Sequence, residues 1–159
     1  MQFSPAEPNL LMTLEPQTGL HLSSYIPDTK STASILSLRN PHLTCFHWAP
    51  AERMVAAGTN TGIVHVIECL VVDDAPPQCR AVATLAARTP TRGVCNAVAW
   101  SPTSDKIASS WDKETRENGI VVWDINTATQ DNGTFSATSD RLVAPVNECC
   151  NEFRLAATV

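Results

Sequence analysis

The chain has 159 residues, which suits one domain, and its 43% hydrophobic content can fill one hydrophobic core. The net charge is −5 and the 11 Lys and Arg residues form no cluster, which argues against a general binder of nucleic acid or of anionic membranes. Only 17% of the residues are charged, which indicates that much of the surface is covered by other structure.

The N-terminal stretch lacks the basic and apolar regions of a signal peptide, and the chain contains no run of the roughly 18 apolar residues that span a bilayer. The six cysteines, at positions 45, 69, 79, 95, 149 and 150, have no regular spacing. Together these features predict reduced thiols in an intracellular protein. Cys45 and His47 would share one face of a strand, but structural zinc needs paired ligands at short spacings, so we expect neither a metal nor a cofactor.

Three landmarks recur in the same order along the chain. The first is an aromatic residue two positions before a proline, with prolines 45 and 52 residues apart: Phe3-Ser-Pro5, Trp48-Ala-Pro50 and Trp100-Ser-Pro102. The second is an apolar run soon after each proline: Leu10–Met12, Met54–Ala57 and Ile107–Ala108. The third is a glycine that opens another apolar run: Gly19, Gly62 and Gly119. Because proline ends strands and glycine accepts the positive φ of tight turns, each repeat predicts three short antiparallel strands.

Segments between the repeats are candidates for a fourth, outer strand. Ile35–Leu38 follows a polar loop at Pro27–Ser34, and Ala81–Leu85 follows a loop at 73–77. Beyond Asn126 the pattern fades, and Thr127–Asp140 is predicted to be a polar loop before a last candidate strand at Arg141–Ala144. We therefore divide the chain into three repeat units, 1–40, 41–90 and 91–145, and a tail at 146–159.

The run Ile120–Ile125 is apolar on both alternating faces, which predicts a sheet packed between two others. Four-stranded sheets stacked in this way around an axis form a β-propeller, so the predicted fold class is all-β, an incomplete propeller of about three blades. Propellers close with about four to eight blades, so the first and third sheets would each leave an apolar face uncovered. A fragment, completion by another chain and marginal folding all fit this pattern, and we favour a fragment because the repeat is lost abruptly after Asn126.

Structural and interaction roles can be assigned to single residues. Trp48, Trp100 and Trp123 occupy repeated positions and are expected in the core, because large aromatic side chains dominate burial. Asp112 is expected in the turn after the second run of the third repeat, and Gly119 is expected to take positive φ at the end of that turn.

Trp111 falls outside the repeated positions and stands beside the charged segment that holds Lys113 and Arg116. These three residues are the candidate partner contact, because aromatic and Arg side chains are frequent in interfaces, with local packing of Trp111 as the alternative.

Trp100-Ser-Pro102, Ser109-Ser110 and Val122-Trp123-Asp124 resemble a WD-repeat blade. In that family an Asp in the turn joins a Ser or Thr, a His and the Trp in a structural network. The resemblance implies that Asp112, Ser109 or Ser110, and Trp123 take three of these places. The His place is empty here, and the second repeat has Asn60 at the turn and Val66 in place of the Trp.

Cys95-Asn96, Ala99-Trp100-x-Pro102 and the polar insertion from Lys113 to Asn118 are similar to the third repeat of the Mios (missing oocyte) family, and the similarity covers roughly residues 1–126. That family belongs to the GATOR or Seh1-associated complex. The resemblance implies a non-catalytic scaffold with Seh1-like and other GATOR subunits as partners, in amino-acid signalling to the target-of-rapamycin kinase. It also implies a cytoplasmic protein recruited to the lysosome or vacuole surface.

The alternative is another WD-repeat adaptor, in ubiquitin ligation, trafficking or chromatin assembly. The helical solenoid and the cysteine/histidine zinc module of the Mios family have no counterpart in this sequence. An enzyme is not expected, because the sequence contains neither a G-x-S-x-G context nor a phosphate-binding glycine loop. His21 and His65 are expected in the middle of strands, with packing or surface roles.

Overall fold

The structure, a computed structural model, describes residues 1–40, 42–70, 78–86, 93–113, 119–125, 129–131, 134–136 and 139–140. The described part of the chain is all-β and holds no helix, as predicted, so it includes no helix that could cross a membrane. Its strands form three sheets, and neighbouring strands are antiparallel at all but one of the pairings described.

The first sheet is an antiparallel meander of four strands in the order β1-β2-β3-β4. These are β1 (Gln2–Phe3), β2 (Leu10–Glu15), β3 (Gly19–Ile26) and β4 (Ser31–Arg39). The predicted outer strand is thus present, but it starts earlier than expected, because Ser31 to Ser34 pair with the end of β3 instead of forming a loop. The turn is confined to 27–30, where Lys30 has a φ of 50°.

The second sheet repeats this meander with β5 (Leu43–Trp48), β6 (Met54–Thr59), β7 (Val64–Leu70) and β8 (Gln78–Leu85). It also carries a hairpin of β12 (Thr129–Asp131) and β13 (Thr134–Ser136), whose second strand runs parallel to β8. Thr127–Asp140 was predicted to be a polar loop, whereas its residues 129–131 and 134–136 pair as strands. An edge strand such as β8 presents unpaired backbone groups, and β13 satisfies some of them.

The third sheet has the order β14-β11-β10-β9. Its strands are β9 (Gly93–Trp100), β10 (Lys106–Lys113), β11 (Gly119–Asp124) and β14 (Ser139–Asp140). The short β14 takes the outer position expected for Arg141–Ala144, which lies outside the described residues, as does the tail. Asp112 was predicted in a turn, but its backbone belongs to β10 and pairs opposite Val94, because β9 is long enough to extend the ladder to Lys113.

Two backbone hydrogen bonds recur in all three sheets. The residue after the aromatic landmark donates its N–H to the carbonyl of the first residue of the second strand: Ser4 to Leu10 (2.8 Å), Ala49 to Met54 (2.8 Å) and Ser101 to Lys106 (2.9 Å). The end of the third strand donates to the residue just before the second strand: Tyr25 to Asn9 (2.7 Å), Cys69 to Arg53 (2.8 Å) and Ile125 to Asp105 (2.9 Å). The sequence landmarks therefore mark one connection that is built three times.

The hydrophobic core lies in two layers, one on each side of the second sheet. Leu20, Leu22 and Met12 of the first sheet pack with Trp48 and Val55 of the second. The opposite face of the second sheet packs against the third and contributes Ala56, Val64 and Val66 to the other cluster. The second sheet is therefore the one enclosed on both faces. The apolar pattern of Ile120–Ile125 predicted such an enclosure for the third sheet.

The outer face of the first sheet differs from the apolar face that was predicted. Thr13, His21 and Ser37 lie opposite one another across β2, β3 and β4, and they give this face a polar row. Apolar side chains continue on it only near β1, where Phe3 packs edge-on against Tyr25 at 5.8 Å between ring centroids. Since the row can hydrogen-bond with water, the first sheet needs no further covering layer there.

Candidate functional site

The centre of the third sheet is a buried group formed by Trp123, Ser109 and Trp111. Trp123 is fully buried, and its Nε1 donates a 2.7 Å hydrogen bond to Ser109 Oγ, which is 1% exposed. Trp111 packs edge-on against Trp123, with ring centroids 5.9 Å apart and planes at 90°. Ser109 and Trp111 stand two residues apart on β10, so the alternation of the strand brings both to the face that Trp123 occupies on β11.

The position of Trp111 in this buried group argues against its predicted role as a contact with a partner. The side chain is only 3% exposed, because the ladder of β10 and β9 extends through it and turns it toward Trp123 instead of toward solvent. Lys113 ends β10, and Arg116 lies outside the described residues. The Trp111–Lys113–Arg116 hypothesis therefore loses the residue that was to anchor it, and local packing is the observed role of Trp111.

Gly119 also departs from expectation. It opens β11 without a positive φ, and a methyl group added at its Cα would meet no atom within 4 Å. The positive values occur at Gly19, with a φ of 112°, and at Gly62, with a φ of 78°. The glycine landmark therefore has a conformational reason in the first two repeats and none at Gly119.

Trp48 and Trp100 each hold one sheet to the sheet before it. Trp48 Nε1 donates to the carbonyl oxygen of Gln2 at 3.3 Å, and Trp100 Nε1 donates to that of His47 at 3.1 Å. Gln2 and His47 both precede the aromatic landmark of their own unit, so the two contacts are equivalent. The sequence analysis placed both rings in the core but did not predict these hydrogen bonds. The only sequence feature that pointed to them was the fixed position of each Trp two residues before a proline.

The polar row on the first sheet brings together groups that could suggest catalysis. His21 Nδ1 lies 2.8 Å from Ser37 Oγ, His21 Nε2 lies 2.9 Å from Thr18 Oγ1, and Thr18 donates to Glu15 at 3.1 Å. Activation of a serine also requires a pocket that binds the substrate and donors that stabilise an oxyanion. These side chains instead lie on an open sheet surface, where the Glu15 side chain is 61% exposed, and the row is best explained as surface hydrogen bonding.

A cavity of about 220 Å³ opens between the first and second sheets. It is lined by Leu38, Arg39, Asn40, Leu43, His65, Ile67 and Ala81. Burial lowers the pKa of His65 below its ordinary value, which keeps the imidazole neutral near pH 7. The lining residues that the structure describes include neither a hydroxyl or thiol side chain nor a carboxylate.

Four cysteines form two close pairs that the sequence did not reveal. Cys45 Sγ lies 3.7 Å from Cys95 Sγ, and Cys69 Sγ lies 2.7 Å from Cys79 Sγ. The hydrogen bond with Cys95 lowers the pKa of Cys45 to about 7, against the opposing effect of burial. The hydrogen bond with Cys69 lowers the pKa of Cys79, while the pKa of Cys69 and that of Cys95 are raised.

All four of these cysteines are free thiols. Within the described ranges, no three His, Cys, Asp or Glu side chains converge in a way that could hold a metal ion.

The outer face of the third sheet remains partly open in the described part of the chain. Its alternating positions carry Ala97, Ala99, Ala108, Ile120 and Val122, which are half-buried or exposed, while the residues between them are turned inward. The same face also carries Ser110 and, at one end, Lys106 and Asp124, so it is more apolar than the row on the first sheet without being apolar throughout. It is the surface on which a further layer of protein could stack.

No protein-family model matches the chain, and no curated protein matches it.

Proposed function

We propose that this chain is a non-catalytic scaffold for protein–protein interaction, built as three blades of a WD-repeat propeller. The observation that carries the proposal is the connection repeated in all three sheets, with the indole contacts of Trp48 and Trp100 at equivalent places. A structure made of one repeated unit buries its core by stacking neighbouring units and presents extended surfaces to partners.

The hydrogen bond between Trp123 and Ser109 supports the WD-repeat assignment. A Ser on the second strand bonded to the Trp of the third strand is the pairing that the resemblance to that family implies, and Trp123 Nε1 donates to Ser109 Oγ at 2.7 Å. Asp112 departs from the family pattern, because it continues β10 as a strand residue. The third blade is therefore proposed as a divergent member.

The proposed context is the one implied by the Mios-like segment in the third repeat. The chain would act as a GATOR subunit in amino-acid signalling to the target-of-rapamycin kinase, with Seh1-like and other GATOR subunits as partners. It would work in the cytoplasm and at the lysosome or vacuole surface. The second candidate, another WD-repeat adaptor, shares the same architecture and differs only in its partners.

The open face of the third sheet gives this proposal a testable surface. In a propeller each blade stacks its faces against the neighbouring blades, so a further sheet would cover Ala108 and Val122. Ala97 is exposed on the same face, and a charged side chain there would oppose such stacking without disturbing the buried face.

The experiment is affinity purification of the epitope-tagged chain, expressed at native level, followed by mass spectrometry. We expect Seh1-like and other GATOR subunits with the wild type and with Ala33→Glu, which changes an exposed alanine on β4, and their loss with Ala97→Glu. Recovery of ubiquitin-ligase, trafficking or chromatin-assembly subunits instead would support the second candidate. Equal recovery of GATOR subunits with both variants would exclude the third sheet as the contact surface.

A further inference from the structure

Cys69 and Cys79 stand directly opposite each other on β7 and β8. Opposite residues of an antiparallel ladder have Cα atoms about 4.5–5.5 Å apart. A disulfide needs a Cα separation of about 4.4–6.8 Å, so the ladder holds these two backbones at bonding distance. Their sulfur atoms are 2.7 Å apart, and no strand has to move for a bond to form between them.

We propose that Cys69 and Cys79 are a modification site that forms a reversible disulfide by exchange with a small disulfide such as oxidised glutathione. The site does not depend on the proposed scaffold function, since it rests on the β7–β8 ladder alone.

The two thiols differ in access and in proton affinity. Cys69 is fully buried in the core between the first two sheets, whereas Cys79 is only partly buried, between the exposed residues Gln78 and Arg80. The hydrogen bond with Cys69 lowers the pKa of Cys79, and the same contact raises the pKa of Cys69. Since the thiolate is the attacking species, Cys79 is the thiol that meets the external disulfide.

The exchange proceeds in two balanced steps. The Cys79 thiolate attacks one sulfur of oxidised glutathione, forms a mixed disulfide and releases one glutathione thiolate. Cys69 then loses its proton, and its thiolate attacks Cys79 Sγ, forms the Cys69–Cys79 bond and releases the second glutathione thiolate. The two cysteines are oxidised by two electrons, and one molecule of oxidised glutathione is reduced to two of glutathione.

The other thiol pair is the internal competitor. Cys45 also has a lowered pKa, of about 7, but it lies on β5 in the second sheet while Cys95 lies on β9 in the third. Their sulfur atoms are 3.7 Å apart, and both lie against Gly58, where even an added Cβ would collide with them. A bond between them would require two packed sheets to adjust, so Cys69–Cys79 is expected to form first.

The test is a redox titration of the purified full chain in glutathione buffers that range from fully reduced to mostly oxidised. After acid quenching and alkylation with N-ethylmaleimide, trypsin releases residues 54–80 as one peptide that holds both cysteines. A protease that cleaves before Asp then cuts at Asp73 and Asp74, between the two cysteines. We expect the two fragments to remain joined after oxidation and to separate after treatment with dithiothreitol.

Fragments that separate at every glutathione ratio would overturn the proposal, and so would oxidation of Cys45–Cys95 alone.

Two variants test the order of attack in the same buffers. Cys69→Ser should accumulate glutathione on Cys79, because the resolving thiol is missing, while Cys79→Ser should leave Cys69 unmodified. Glutathione on Cys69 in the second variant would refute the assigned roles. Cys45→Ser is the matched control and should keep the joined fragments, and the wild-type result decides the proposal if any variant fails to fold.

Discussion

Trp100 Nε1 donates a 3.1 Å hydrogen bond to the carbonyl oxygen of His47, across the boundary between the third sheet and the second. Trp48 makes the equivalent bond to Gln2 one sheet earlier. Each indole thus fills the interface between two sheets and also satisfies a carbonyl on the strand that begins the preceding sheet. Trp48 and Trp100 therefore each attach their own unit to the preceding one.

Replacement of Trp100 by Phe should weaken this attachment. The variant loses ring volume at a site that is 7% exposed and leaves the His47 carbonyl without its donor, so we expect a loss of about 1–3 kcal/mol in the free energy of unfolding. Urea denaturation followed by tryptophan fluorescence measures it. Phe3→Leu is the control at the equivalent position of the first sheet. The Phe3 side chain is 49% exposed, so this substitution should lower the free energy of unfolding by less than about 1 kcal/mol. Equal losses would contradict the proposed role of the indole.

The buried hydrogen bond inside the third sheet gives a second prediction. Ser109→Ala leaves the Nε1–H of Trp123 buried without its acceptor, and such an unsatisfied donor costs about 1–3 kcal/mol. Ser110→Ala removes a hydroxyl from the half-buried opposite face and should change the stability by less than about 0.5 kcal/mol. Thermal and urea unfolding of both variants provide the comparison. A Ser110 variant as unstable as the Ser109 variant would show that the hydrogen bond is not the cause.

Much of the fold could be predicted because the landmarks act locally. Strands end before the landmark prolines and begin near the apolar runs, as expected. The outer strands predicted near Ile35 and Ala81 are present as β4 and β8. The length of β10 was missed because strand pairing overrides local polarity. Asp112 and Lys113 look like turn residues, yet β9 offers backbone partners as far as Gly93, and the ladder uses them.

The remaining errors concern relations between distant residues. Trp111 looked exposed because charged residues follow it, but its environment is set by Trp123, which is distant in sequence and adjacent in the sheet. Similarly, nothing in the spacing of Cys69 and Cys79 reveals that their register on β7 and β8 makes them opposite. Register depends on turn length and bulges, such as the one between Val66 and Ile67, which a single sequence does not specify.

Two glycines that look equivalent in the sequence should respond differently to alanine. Gly19→Ala forces a side chain into a φ of 112° and places its Cβ against the Leu38 carbonyl, so we expect a loss of more than about 2 kcal/mol. Gly119→Ala has open space and ordinary backbone angles, and it should be neutral or stabilise the fold by about 0.4–1 kcal/mol. Melting temperatures of the two variants measure the contrast. A large loss at Gly119 would contradict the expectation that this position has room for a side chain.

Two partly buried histidines should make the stability depend on pH in the range where histidine titrates. Burial lowers the pKa of His47 and of His65 below the ordinary value of 6.5, so both remain neutral in the fold at a pH where they are protonated in the unfolded chain. The unfolded state then binds more protons, and stability falls as the pH drops below about 6.5 and toward the folded pKa values. Each histidine contributes a slope of at most about 1.4 kcal/mol per pH unit.

Urea unfolding between roughly pH 7.5 and pH 5.5 measures this slope, since histidine titrates in that range. His65→Gln removes one titrating group and keeps a side chain that can hydrogen-bond with Thr84, so its stability should fall less steeply than that of the wild type. His42→Gln makes the same substitution at an exposed histidine and serves as the matched control. Cys45, with a pKa of about 7, also titrates in this window, but all three proteins share it and its effect cancels in the comparison. Identical slopes in all three proteins would mean that His65 is protonated equally in the folded and unfolded states.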